Sequence, residues 1–532
     1  MPKNIETKFG EYFNLPNAGL RSYFDIVEKG QPDEYRTTFY RGKSLAEILE
    51  GWRPNIEKLS HDWPTLVDFE NDLAKKVGPM SIMKPLSERM GDIDSYYEGI
   101  LLPSEPISER AIKATIREWS DLRGIRLRSI GNTLDKMKKS TNSGSPFFAK
   151  RRRVADKTVP CSVWHDTTQV FQEIGPNDEA WLGCAVLGWR GQEGGPEVED
   201  VKQRVVWMFP FAVNIEELRF YQPAIEVAQK HCLVPAWVSM EAVDERITRM
   251  FDTKGPEDVV ICTDFSKFDQ HFGPACQDAA KSIISSLITD PNHRWLNNVF
   301  PIKYMIPLAY DYGKIRTGKH GMGSGSGGTN FDETLTHRAL QYEAAQSVGS
   351  FLNPNSQCLG DDGVLTYPGI TVEDVVRSYT AHGLEMNPDK QYVSKQDCVY
   401  LRRWHHKDFR VDNTCVGVYS TYRALGRLAE QERYYDPEEW GPKMVALRQL
   451  SIIENCKWHP LREEFANYCM EGDKYRLGID IPGFLDNIEK EAQEAIENMP
   501  DFLGYTKSIQ TQDGGRTGIS EWWIVKYLKS KA

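Results

Sequence analysis

The feature that most constrains this chain is a pair of acid-tipped apolar segments. Val259-Val-Ile-Cys-Thr-Asp264 reads as a buried strand ending in a carboxylate, with Asp269 five residues further on. Leu359-Gly360-Asp361-Asp362-Gly363 sets two adjacent carboxylates in a tight turn between apolar stretches. A sheet carrying both gathers like charges at one edge, which is costly unless a cation neutralises them. All-oxygen donors favour Mg²⁺ or Mn²⁺ over zinc. Each segment has a plainer reading: Asp264 capping the next helix, or an ordinary Asp-rich turn. Taken together they lead us to expect Asp264 and Asp361 to hold two ions about 3.5–4 Å apart, suited to activating a hydroxyl and stabilising a leaving pyrophosphate.

A third segment, Gly321-Met-Gly-Ser324-Gly325-Ser326-Gly327-Gly328-Thr329-Asn330, runs into a helical stretch from Phe331 to Ala345. Dense glycine lets backbone approach a ligand, and Ser, Thr and Asn supply sugar and phosphate partners. The Lys of a Walker loop is missing. A flexible linker is the alternative, but linkers rarely run straight into a helix.

The net charge of −11 looks wrong for a nucleic-acid protein. Locally the balance differs: Glu109 to Lys157 carries fourteen Lys/Arg against five Asp/Glu, and acidic excess gathers at Glu193–Asp200 and Asp486–Asp501. Such segregation fits a basic channel through an acidic exterior; a solvated charged helix fits as well. Ten scattered cysteines without a C-x-x-C pair argue against a zinc ribbon or disulfide framework, so we expect reduced, mostly buried thiols. The sequence has no secretory pattern at its start and no apolar run of about 20 residues, so cytosolic synthesis and no membrane partner are expected. Residues 107–139 read as amphipathic helices, 201–213 as one strand, and 430–470 and 484–498 as helical.

In order and spacing, the three segments resemble the viral RNA-dependent RNA polymerase family, most closely the enzymes of picobirnaviruses, which have double-stranded RNA genomes. Asp264 and Asp269 match its motif A, Ser324, Gly325 and Thr329 its motif B, and Gly360, Asp361 and Asp362 its motif C. Lys390 then stands where a proton donor to pyrophosphate is found in motif D. Tyr400-Leu-Arg402-Arg-Trp404 resembles the primer grip. Lys202 and Arg204, with Arg190 and the 150–153 cluster, resemble the nucleotide-gripping motif F, and Gly144 lies in a match to motif G at the template entrance. The matches span residues 141 to 404. One position departs: where the family places an Asn bonded to the second acid of motif A, this chain has Glu333. Asn330 and Glu333 both stand as candidate partners of Asp269 in sensing the ribose 2′-hydroxyl.

The resemblance implies an α+β fold shaped as a closed right hand, with a ferredoxin-like antiparallel sheet in the palm and mostly helix outside it. The expected divisions are a 1–95 extension bridging fingers and thumb, 96–250 fingers, 251–404 palm with an embedded fingers segment at about 274–318, and 405–532 thumb and tail. It implies an enzyme that makes RNA from NTPs on an RNA template, with Asp264, Asp361 and Asp362 on two Mg²⁺ or Mn²⁺ ions. Template, nascent RNA and NTPs are the expected partners, with viral capsid protein beside them, in host cytoplasm or inside the virion. A reverse transcriptase would carry an aromatic residue at Asp269 and another at Gly360. An RNA-binding capsid or scaffold protein would leave Asp264, the glycine loop and Asp361-Asp362 unexplained. The aromatic, basic tail (Trp522, Trp523, Lys526, Tyr527, Lys529) is expected either to stack on RNA in the product channel or to dock as a terminal helix.

Overall fold

The computed structural model describes residues 8–435, 440–499 and 518–532. Helix α1 (Ala18–Lys29) is capped by Asn17, whose side chain accepts from Leu20 N. Strand β1 (Tyr35–Arg36) and helices α2 (Leu45–Glu57) and α3 (Pro64–Ala74) follow. These elements build no core of their own. Trp52, Leu66, Phe69 and Val77 pack with Trp404, Leu425, Leu450, Phe465 and Leu528. Phe9, Phe13 and Phe24 pack with Cys184, Val186 and Ala309. On α3, fully buried Glu70 accepts from Thr421 N at 3.0 Å, from His459 Nε2 at 3.1 Å and from the Ser420 and Thr421 hydroxyls.

The basic stretch is largely helical (Glu109–Glu118, Ile130–Asp135, Arg151–Thr158). Residues 161–208 are the main strand-rich region outside the central sheet. Cys161–His165, Val170–Ile174 and Glu179–Gly183 form a three-stranded sheet, and β2 (Ala185–Gln192) pairs antiparallel with β3 (Lys202–Met208). Their β-branched and aromatic residues suit a pleated surface. The strand expected over 201–213 stops at Met208, because Pro210 caps helix α4 (Phe211–Lys230) instead. In the acidic segment between β2 and β3, Glu193 forms a half-buried 2.7 Å ion pair with Arg423.

The centre is an antiparallel sheet. Strand β4 (Val260–Thr263) leads through an insertion, whose strand Leu308–Asp311 joins β2, to helix α5 (Thr329–Ser347). Then come β5 (Gln357–Leu359), β6 (Asp362–Leu365), α6 (Val372–Thr380) and β7 (Tyr392–Ser394), in the spatial order β5-β6-β4-β7. Such a β-α-β-β-α-β run is ferredoxin-like. Helix α5 is buried on every side although it carries Asp332, Glu333, Thr334, Thr336, His337, Arg338 and Gln341. Arg338, for example, is held by Glu118 at 2.6 Å, and Gln341 Nε2 donates to Gln357 O at 2.9 Å. A buried helix this polar is a place where side chains do chemistry or position it.

Strands β8 (Asp397–Tyr400) and β9 (Arg403–His406) form a hairpin before α7 (Thr421–Ala429) and β10 (Glu430–Gln431). The helix expected across 430–470 is thus interrupted: β10 pairs with β1, and helix resumes in α8 (Pro442–Glu454). The tail docks as helix α9 (Trp523–Lys531), burying Ile524, Val525 and Leu528, while Glu454 accepts the Trp523 and Ile524 amides at 3.1 and 2.9 Å. The tail residues form this docked helix; the stretch 500–517, including the end of the second acidic run, lies outside the described residues. All ten cysteines are unpaired, nine of them buried.

At the β1–β10 junction, burial and then the neighbouring Glu34 carboxyl push the buried Glu430 carboxyl up to about 9. The unfolded chain ionises this group near its ordinary 4.5 while the folded chain keeps the proton, so stability falls as pH rises from about 4.5 to 9. Glu430→Gln removes that loss: its Tm should exceed the wild type's at pH 9 and match it at pH 4.5. Equal differences at both pH values would exclude the titration.

Candidate active site

Asp264 follows β4 directly, and its main chain is clamped by Gln391. The Asp264 N–H donates to Gln391 Oε1 at 2.7 Å, and Gln391 Nε2 donates to Asp264 O at 2.9 Å. This ties the strand end to the segment bearing Lys390. Asp361 occupies the two-residue turn joining β5 to β6, where Gly360 takes a left-handed φ of 57°. Helix α5 fixes the turn from behind. Thr334 Oγ1 accepts the Gly360 N–H at 3.0 Å, and His337 Nδ1 lies 2.9 Å from Gly360 O. Burial pushes His337 down to about 4, so the ring is neutral and carries its proton on Nδ1 to donate.

The neighbouring acids diverge. Asp361 opens into the cleft, whereas Asp362 Oδ2 accepts the N–H of Leu401 at 2.8 Å, at the left-handed turn of the β8–β9 hairpin. Burial pushes Asp362 up to about 7. Asp361, though exposed at the tip of its turn, also lies above the ordinary carboxylate range, first because nearby protein displaces part of its water, then because Asp269 and Asp264 are near; Arg204 offsets part of this. Asp264 is raised by burial and steadied by Lys76, Lys390 and Lys202.

Asp269, in the short helix Phe268–His271, lies beside the carboxyl of Glu333 on α5. Burial, then the neighbouring Asp269, holds the buried Glu333 carboxyl well above the ordinary range. Asn330 is engaged elsewhere, its Oδ1 accepting from Trp237 Nε1 at 2.8 Å. Of the two candidate partners of Asp269, the structure brings up Glu333.

The glycine loop lies against β3. Ser324 Oγ accepts from Trp207 N at 3.3 Å, and a Cβ on Gly325 would stand 1.5 Å from Trp207 O, so nothing but glycine fits. Thr329 Oγ1 closes the loop by donating to Gly323 O at 3.2 Å. Arg204 and Arg190 are directly opposite on β3 and β2. Like charges so paired are unfavourable until an anion lies between them. Arg190 is 3.8 Å from Glu432, and Arg204 acts on Asp361 and Glu333. Gly144 lies against Phe209, while Arg402, at the β8–β9 turn, is near enough to Asp362 to act on its charge and also neighbours Arg423 and Glu193.

Among the described residues no three His, Cys, Asp or Glu side chains close a metal cage. Asp264 and Asp361 nevertheless fit a hard cation, because both are oxygen donors with excess negative charge around them, and Mg²⁺ commonly rests on one or two carboxylates plus substrate phosphates. Sequence reading missed Lys76, Gln391, Thr334, His337 and the Leu401 amide. Of these only the α5 residues left a signal, as polar side chains at helical spacing after Thr329.

A family model described as viral RNA-dependent RNA polymerase matches residues 113–416. A potential RNA-dependent RNA polymerase from Human picobirnavirus (strain Human/Thailand/Hy005102/-) is 63% identical over 98% of this chain and 98% of its own length. The crystal structure of the RNA-dependent RNA polymerase of a human picobirnavirus superposes with a TM-score of 0.94 at 63% identity, covering 98% of this chain and 99% of that one. The insertion loop deletion mutant of such a polymerase gives 0.92 at 61%, with the same coverage.

Proposed function

Because this chain belongs to the viral RNA-dependent RNA polymerases and so makes RNA on an RNA template, we propose that it replicates and transcribes a viral RNA genome by two-metal-ion nucleotidyl transfer. The observation that carries the mechanism is the adjacency of β4 and β6, which sets Asp264 and Asp361 at one sheet edge facing Arg204, Lys202 and Lys390. Bound Mg²⁺ or Mn²⁺ supplies charge neutralisation at the attacking and leaving oxygens. Asp264 and Asp361 would hold the ions, with Asp362, whose side chain also anchors their turn to the β8–β9 hairpin, as a supporting ligand. Lys202 and Arg204 grip the triphosphate, with Arg190 beside them; Ser324, Gly325 and Thr329 seat the nucleotide; Asp269, oriented by Glu333, accepts the ribose hydroxyl. Lys390 gives its proton to pyrophosphate, Arg402 steadies the nascent strand, and the Gly144 turn guides the template. Positioning and electrostatics supply most of the acceleration.

The right-hand division into an extension (1–95), fingers (96–250), palm (251–404, with 274–318 returning to the fingers) and thumb (405–532) belongs to the same reading. Support comes from the packing of residues 39–77 with 404–528, and of 9–24 with 184–186 and 309. Work in the host cytoplasm and inside the virion, beside capsid protein, completes it; co-sedimentation of the chain with purified particles tests that part.

The test is synthesis itself: purified protein, single-stranded RNA and labelled NTPs should give template-length product with Mg²⁺ or Mn²⁺. Chelation should abolish product, and added metal should restore it. Activity that survives chelation would end the metal mechanism. Asp269→Ala should lower the preference for ATP over dATP about tenfold, read as the ratio of kcat/KM values. An unchanged ratio would remove Asp269 from sugar selection.

A further inference from the structure

Behind the glycine loop lies a dry polar cluster that the mechanism leaves unused. Glu217, on α4, has no exposed surface. Its Oε1 accepts from Gly327 N at 3.2 Å and from Asn214 Nδ2 at 3.1 Å, and its Oε2 accepts from the Ser326 hydroxyl. Asn214 Nδ2 also donates to Gly325 O at 3.2 Å, while its Oδ1 accepts from Arg151 at 2.8 Å. Deeper still, Lys303 meets Asp332 at 2.9 Å, with the Tyr221 and Tyr304 hydroxyls donating to the same carboxylate at 2.9 and 2.7 Å.

A buried carboxylate is a costly way to fill space, where an apolar side chain would serve better. What Glu217 does that an apolar residue cannot is hold two consecutive loop residues, Ser326 and Gly327, from outside the loop. The main chain of α4 meanwhile reaches the other side: Phe211 N donates to Ser143 O at 2.9 Å, within the 141–147 segment. One helix thus grips the loop beside the nucleotide and the segment beside the template.

We propose that Glu217 is a positioning residue for the nucleotide site. It fixes the glycine loop so that Ser324 and Gly325 meet the incoming nucleotide, and through Asn214 and Arg151 it joins that loop to the template-side segment in one hydrogen-bonded unit. The inference rests on the polymerase reading above, because it assigns a purpose to that reading's nucleotide loop.

The full chain, as wild type, E217A, E217Q, S326A and E217A/S326A, would be assayed on an RNA template with one NTP varied. Hydrogen exchange would be followed in parallel at the amides of 325–328. E217A should raise KM for the NTP about tenfold and leave template affinity within about twofold. E217Q, which still accepts from Gly327 and donates to Ser326, should recover most of the loss. E217A/S326A should lose less than the product of the two single losses, since both changes break the same Glu217–Ser326 contact while each also loses contacts of its own. The loop amides of E217A should exchange about tenfold faster. An unchanged KM with only a lower Tm would overturn the proposal, as would fold-changes that multiply independently or unaltered loop exchange. Wild-type synthesis tests the polymerase reading separately, and the exchange measurement decides this inference even where no variant polymerises.

Discussion

Asn in place of Asp361 should slow nucleotide addition roughly a thousandfold or more, with fold and RNA affinity intact. Asp361 is exposed on its turn, and its shape is kept by Asn, so the substitution costs the fold little. What it removes is charge at the point where Asp264 and Asp269 already crowd it. Asp362→Asn makes the informative comparison. Its remaining Oδ1 still accepts the Leu401 amide, so the hairpin contact survives and the loss should be near tenfold. Single-turnover rates at saturating Mg²⁺, with Tm and RNA binding measured beside them, separate the cases. Equal losses in the two variants would mean that both acids serve the ions alike, and a D361N enzyme near wild-type rate would remove Asp361 from the reaction.

The second large effect concerns stability. Lys303 and Asp332 are both fully buried, and Lys303→Met leaves the Asp332 carboxylate without its cation. Breaking one side of such a pair costs about 3–5 kcal/mol. The double substitution K303M/D332N should recover part of it, because the stranded charge goes too; one tyrosine hydroxyl keeps an oxygen acceptor and the other can accept from the Asn amide. Thermal and denaturant unfolding of the three proteins measures this. If K303M melts with the wild type, the cation is dispensable and the tyrosines alone satisfy Asp332.

Asp264, Asp361 and the glycine loop were legible because each is a local arrangement: an acid closing an apolar run, a two-residue turn, a dense glycine stretch before a helix. Residues whose part depends on meeting a distant segment were not. Gln391 clamps a strand end far upstream, Lys76 reaches Asp264 from a region without any recognisable motif, and His337 acts on a carbonyl in another hairpin. The Asp269 partner stayed open between Asn330 and Glu333 because they stand three positions apart on one helix, and only the path of Asp269 chooses. The apolar run Val205–Val213 misled for another reason. Short apolar runs suit strand and helix alike, and Pro210 switched one to the other in mid-run.

The packing of α2 and α3 against residues 404–528 also sets an order of events during synthesis. A ribosome releases Trp52, Leu66 and Glu70 first, yet the side chains that cover them come last. Those early helices therefore wait, apolar faces bare, while the middle of the chain is made, and folding piece by piece in the order of translation is closed to them. The nascent protein needs a chaperone most at its oldest part, and a premature stop in the last hundred or so residues unmakes the first as surely as the last.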